Sequence, residues 1–258
     1  METSSTTSKP PESIPPLPIP AVRTNSPREF LIPFRFDYIK NGKFTGRKEL
    51  LNEVHRQLSG TRRDSRSNIL ALYGPGGIGK TQIAIEYAHL HHTNYSSVFW
   101  IDATNQKSAF DSFLQIAKRI LRHYVEEEIE TPNYGFIARK LGLVDLLDEN
   151  GRFSMMYRDS YGIAEALKDW FAKEANTEWL LIFDNVNDLE TFDIRDFFPR
   201  VPWGSILITT RRRDIPTYWN SIEVQEMSQI EGLQFLKRCA NLDQELSHEG
   251  RSLHICII

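Results

Sequence analysis

Eight residues constrain this chain more than any others: Gly74-Pro75-Gly76-Gly77-Ile78-Gly79-Lys80-Thr81, directly after the apolar run Asn68–Tyr73 (NILALY). They fit G-x-x-x-x-G-K-[ST], and each residue type has a chemical reason. Glycines let the backbone turn so that successive N–H groups aim inward at phosphate oxygens. A helix starting near Lys80 would add its positive end to the same pocket. The Lys80 ammonium suits β- and γ-phosphates, and the Thr81 hydroxyl suits Mg²⁺. The motif needs a strand before it and a helix after it. NILALY reads as a buried parallel strand, and Thr81–His91 places Ile83, Ala84, Tyr87 and Ala88 at helical spacing.

That unit repeats in kind along the chain. Ser97–Ile101 (SVFWI), Trp179–Phe183 (WLLIF) and Ser205–Thr209 (SILIT) read as further buried strands, with a fifth at Ser221–Val224. Helices are expected over Lys48–Leu58, Ala109–Tyr124, Gly162–Glu174 and Glu231–Ala240, with short helices and loops between Glu126 and Tyr161. Strands alternating with helices predict an α/β fold: a three-layer P-loop NTPase with a mostly parallel five-stranded sheet.

Composition narrows the function classes. The 31 Lys+Arg against 34 Asp+Glu leave a net charge of −3, which disfavours a general nucleic-acid binder. No apolar run approaches the ~18 residues that cross a bilayer, and no signal peptide is evident, so a cytoplasmic, membrane-free setting is expected. Two cysteines, Cys239 and Cys256, support neither a disulfide scaffold nor a zinc site. Seven of the 13 prolines fall within the first 27 residues, so residues 1–28 read as a disordered leader. Residues 29–240 form the nucleotide-binding module, and residues 241–258 read as an irregular, truncated tail.

A phosphate loop needs a metal partner, and Asp184, closing Leu180-Leu181-Ile182-Phe183, supplies one. Asn185 follows, where many ATPases place a second acid. Its amide can orient water but cannot accept a proton, so hydrolysis is expected to be slow at most. Glu165, Asp188 and Glu190 are candidate substitutes. Thr209-Thr210-Arg211-Arg212-Arg213 ends another strand. Arg211 is read as a γ-phosphate sensor, and Arg212 and Arg213 as a solvated basic turn.

Together these pieces resemble the NB-ARC domain of the STAND class of P-loop ATPases, which includes plant disease-resistance receptors, apoptosome scaffolds and fungal NOD-like receptors. The resemblance rests on Phe44-Thr45-Gly46-Arg47, GPGGIGKT at 74–81, VFWIDA at 98–103, LLIFDNV at 180–186, GSILITTR at 204–211 and IEVQEMSQIEGLQFLKR at 222–238. The fungal branch is the most similar, through "DN" at 184–185 and Trp100. The resemblance implies ATP/ADP and Mg²⁺, bound by Gly74, Gly76, Gly77, Ile78, Gly79, Lys80, Thr81 and Gln82. Asp184 and Thr81 would hold the metal, with Asn185 and Arg211 beside the γ-phosphate. Phe44, Thr45 and Arg47 would line the adenine side. The family normally continues into a small helical domain with Gly-x-Pro and then a winged helix, and neither follows Arg238.

The expected function is an ATP/ADP-binding switch module of a NOD-like signalling receptor, serving immunity or incompatibility and acting through self-association or related receptors. The alternative is a catalytically inert nucleotide-binding scaffold or decoy that pairs with full-length relatives.

Overall fold

The computed structural model describes residues 27–35, 38, 40–59, 68–128, 132–153, 157–188 and 191–240. The expectations for nearly all of the Pro-rich leader, for Glu190 and for the tail lie outside these. In chain order the elements are α1 (Lys48–Ser59), β1 (Asn68–Tyr73), α2 (Lys80–His91), β2 (Ser97–Asp102), α3 (Gln106–Glu126), α4 (Tyr134–Leu141), α5 (Tyr157–Phe171), β3 (Trp179–Asp184), β4 (Ser205–Thr210), β5 (Asn220–Glu223) and α6 (Gln229–Cys239).

The strands form one five-stranded sheet in the order β2-β3-β4-β1-β5, with every pairing parallel. Parallel strands need crossovers, and helices in those crossovers cover both faces, which is why the strands are apolar at consecutive positions. Alternate residues of β3 accordingly serve different cores. Leu180 and Ile182 pack with Leu51, Val54, Ile83 and Tyr87 on the α1/α2 side, while Leu181 and Phe183 pack with Phe113, Trp170 and Phe171 on the α3/α5 side. Burying each such side chain contributes ~1.5–3 kcal/mol.

The stretch expected to hold short helices and loops contains α4. The Asn133 side chain accepts from the Phe136 N–H at its start, and Gly142 ends it in the left-handed conformation. Near β4 the chain makes a close approach. Trp179 sits so tightly on Gly204, held at φ 75°, that a Cβ there would lie 2.2 Å from the indole.

Strand β2 is one edge of the sheet, and α3 dresses it. Arg119 Nη1 donates to the Val98 carbonyl at 3.4 Å, and the Asp102 N–H donates to Ser112 Oγ at 3.1 Å. Arg119 also donates to the carbonyls of Pro33 and Arg35, fixing the segment ahead of α1. That segment runs from one core towards the other: Phe30 packs edge-on to Trp170, and Phe34 stacks on His92 with ring centroids 4.6 Å apart.

The register sets the site. Leu72 and Tyr73 lie beside Thr209 and Thr210, and Phe183 lies beside Ile208, so the carboxyl ends of β3, β4 and β1 stand side by side. In open α/β sheets that is the end at which ligands bind.

Candidate functional site

The 74–79 loop leaves β1 and enters α2 through Gly79, which has φ 101°, while Gly77 has φ 79°. A Cβ at Gly77 or Gly79 would meet nothing within 4 Å, so it is the left-handed backbone, rather than crowding, that calls for glycine there. Lys80 is buried, and its ammonium donates to the Gly74 and Pro75 carbonyls, both at 2.8 Å. Burial lowers its pKa below the usual lysine value. The Arg211 guanidinium adds to that, and Asp184 opposes it.

Asp184 closes β3 and is buried. Its Oδ1 accepts the Thr81 hydroxyl at 2.8 Å and the Thr209 hydroxyl at 2.5 Å, and its Oδ2 accepts from Asn185 Nδ2 at 3.2 Å. Burial raises the Asp184 pKa, the two threonine hydroxyls pull it back, and Asp102 on the neighbouring strand raises it further. Asn185 has φ 65°, a conformation that asparagine tolerates better than most residues, and its N–H donates to Thr209 Oγ1 at 3.0 Å. Its side-chain amide is thus turned to Asp184. Of the substitute acids, Glu165 pairs with Lys168 at 2.5 Å on α5, and Asp188 accepts the Thr191 N–H at 3.0 Å.

Arg211 lies against the loop: a Cβ on Gly76 would be 3.4 Å from its guanidinium carbon. Its backbone N–H is held by Asn187 Oδ1 at 2.8 Å. Arg212 pairs with Asp214, and Arg213 pairs with Glu223 at 3.1 Å, as a surface turn would.

Beyond Ile78 opens a cavity of about 370 Å³, lined among others by Phe44, Thr45, Arg47, Gly77, Gln82 and Phe235. All three residues expected on the adenine side reach it. Arg47 is buried, has φ 59°, and brings Nη1 to 3.5 Å from the Glu226 carbonyl.

The donor set fits Mg²⁺ bound jointly with phosphate. It consists of hard oxygens, one carboxylate and one hydroxyl, already converged at 2.8 Å. Among the described residues no cluster of three or more His, Cys, Asp or Glu could cage a metal by itself.

The family model for the NB-ARC domain matches residues 47–244. The chain belongs to the NB-ARC family. A nucleotide-binding leucine-rich repeat (NLR)-like protein of Hyaloscypha variabilis is 26% identical over 226 residues, covering 80% of this chain and 20% of that protein. The chain thus spans about a fifth of the length of this relative. Among solved structures, Cdc6p from Pyrobaculum aerophilum aligns over 80% of this chain and 52% of its own, at 12% identity and TM-score 0.45. The Aeropyrum pernix ORC2 protein aligns over 84% and 56%, at 16% identity and TM-score 0.44.

This NB-ARC domain, a P-loop nucleotide-binding module, also uses residues to which the sequence reading gave no role at the site. Thr209 and Asp102 both act on Asp184. Thr209 had a signal in the sequence, since a polar residue ends an otherwise apolar strand, whereas Asp102 becomes a neighbour only through the β2–β3 register. For Glu231, Ser228-x-x-Glu231 signals a helix start, and the structure forms that capping box, but nothing local announces its reach back to Arg47. At the end of α2, His91 is a poor cation. Burial and the stacked His55 ring, with centroids 4.1 Å apart, lower its pKa to about 4.

Proposed function

We propose that this NB-ARC domain binds ADP and ATP with Mg²⁺ and works as a nucleotide-dependent switch. The observation that carries the reading is the convergence of three elements on one loop. Lys80 is folded into it, the Thr81–Asp184 pair sits beside it, and Arg211 lies over Gly76, all next to a cavity sized for a purine nucleoside. Lys80 would exchange its two carbonyl partners for phosphate oxygens. Arg211 offers bidentate donors above the loop, and Arg47, Phe44 and Thr45 flank the base. Thr81 and Asp184 would hold Mg²⁺, whose charge neutralises the β- and γ-phosphates when bound.

Hydrolysis, on this reading, is slow. The Asn185 amide is engaged with Asp184 and has no basic atom to take a proton from water. Nucleotide exchange would bias a conformational equilibrium, with hydrolysis resetting it. By analogy with its longer relative, the domain would serve an NLR-type receptor in the cytoplasm, in immunity or incompatibility signalling. It would assemble with copies of itself or related receptors rather than with nucleic acid or membrane. The net charge of −3 disfavours nucleic acid as the partner. No described helix is long and apolar enough to cross a membrane. Titration of ADP and ATP into wild type and Lys80→Ala tests the binding reading, and equal affinities for the two proteins sink it. Assembly state measured by light scattering in ATP and in ADP tests the switch. No difference between the two nucleotides would count against it.

The engaged Asn185 also favours a second reading, an inert nucleotide-holding scaffold. Sustained phosphate release that disappears in Asp184→Ala excludes it.

A further inference from the structure

Helix α6 contributes no buried residue, so packing alone does not hold it to the domain. Three polar contacts tie it to the turn before α1. Glu231 Oε1 accepts the Arg47 N–H at 2.7 Å, Arg238 Nη1 donates to the Phe44 carbonyl at 3.0 Å, and Lys43 Nζ donates to the Cys239 carbonyl at 3.0 Å. The first is the most tightly built. The Glu231 carboxylate occupies the space in which a Cβ on Gly46 would sit, 2.6 Å from Oε1, and Gly46 and Arg47 follow each other at φ 69° and 59°. Arg47 is not glycine, so its left-handed backbone carries strain that a strong acceptor for its N–H helps to offset. The other oxygen, Oε2, accepts the Ser228 N–H at 3.0 Å and so caps α6 itself. Backbone donation from Arg47 and Ser228 holds the Glu231 carboxyl below the usual carboxylate range.

The two pieces joined in this way line one cavity: Phe44, Thr45 and Arg47 from the turn, Phe235 from α6, and Glu226 and Met227 from the segment leading into α6. We infer that Glu231 is a positioning residue: it holds the base-side turn and α6 together as a single jaw, so that a nucleoside in the cavity fixes the position of α6. This rests on the nucleotide reading above. On that reading the 74–81 loop holds the phosphates; its Gly77, Ile78 and Gly79 border the same cavity but are not tied to Glu231, so Glu231 governs affinity for the nucleoside part of the ligand and leaves the phosphate part alone.

The test uses the full chain, with ADP and inorganic pyrophosphate as separate titrants and amide hydrogen exchange of residues 44–47 and 229–239 as the second readout. Glu231→Ala should weaken ADP about tenfold, the scale of one charge-assisted hydrogen bond, leave pyrophosphate affinity unchanged and speed exchange in both segments. Glu231→Gln keeps an acceptor for Arg47 and should recover most of the affinity. Arg238→Ala, which leaves the capping of α6 intact, should weaken ADP about threefold and serves if Glu231→Ala does not fold. Wild-type ADP affinity in both alanine variants would overturn the inference, as would equal losses of ADP and pyrophosphate. A wild-type chain that binds no ADP would instead sink the nucleotide reading on which the inference stands.

Discussion

The Thr81 hydroxyl donates to Asp184 Oδ1 across 2.8 Å, and the Thr209 hydroxyl donates to the same oxygen. One buried carboxylate thus ties the first turn of α2 to the tips of β3 and β4, at a cost in desolvation that its raised pKa records. Asp184→Asn keeps an acceptor for both hydroxyls and removes the charge. The variant should unfold within about 1 kcal/mol of wild type, or above it, while the Mg²⁺ dependence of its nucleotide affinity disappears. Urea unfolding together with ADP titrations with and without Mg²⁺ reads both effects. A variant that keeps its metal dependence contradicts the assignment of Asp184.

Lys80 presents the complementary case. Its ammonium is held by the loop's own carbonyls, so Lys80→Met removes two short hydrogen bonds as well as the charge that phosphate would meet. ATP affinity should fall at least about 100-fold, equivalent to ~3 kcal/mol, with little change in melting temperature. Calorimetric titration measures the first and a thermal melt the second.

Gly204 gives a prediction independent of ligand. Adding a methyl group there drives a Cβ to 2.2 Å from Trp179 at a residue held at φ 75°. Trp179 is fully buried and anchored by its Nε1 donating to the Phe171 carbonyl at 3.0 Å, so it has no room to retreat. Gly204→Ala should lose about 3 kcal/mol or more of stability, seen as a lower urea midpoint, whereas an alanine at Gly232, where nothing lies within 4 Å, should not.

How much of this was readable beforehand depends on the range of the interaction. Strands β1, β3 and β4 declare themselves because residues buried on both sides must all be apolar. Lys80, Thr81 and Asp184 declare themselves because phosphate and magnesium demand those residue types. Arg211 stood out as a cation at a strand tip, and the resemblance to known NB-ARC sequences added Arg47; in the structure Arg47 lines the cavity and Arg211 lies over Gly76. Asp102 and Glu231 stayed hidden because each is an ordinary acid until register or a distant turn supplies its partner. Of the segment ahead of Lys48, residues 1–28 were read as a disordered leader and the module was taken to start at 29; the chain turns inward at Phe30, and Phe30 and Ile32 enter the core. Their anchors, Trp170 and Arg119, lie far along the chain, and no local pattern announces them.

The stacked His55 and His91 rings make stability depend on pH. His91 titrates at about 4 when folded and near its usual 6.5 when unfolded, so the unfolded chain binds the extra proton between those values. This contribution is complete above about pH 6.5, fades as pH falls towards 4 and does not change further below. With partial solvent exposure allowed for, it amounts to about 2 kcal/mol. His55, whose pKa burial also lowers, and the Tyr87 ring face the same ring. Urea midpoints measured from pH 7.5 to 4 should drop for wild type, and the slope should flatten in His91→Phe.

The dressing of strand β2 bears on how copies of this domain could meet. An exposed parallel edge is a template for another chain's backbone, and edge-to-edge pairing is the hazard it carries. Here Arg119 and Ser112 occupy backbone groups at both ends of that edge, and the same arginine straps the segment at Pro33 and Arg35. The opposite edge, β5, is only four residues long and carries the Arg213–Glu223 pair. Neither border invites a shared sheet. If copies of this domain assemble as proposed, they would meet through side-chain surfaces and not by strand addition, which would run on into fibres.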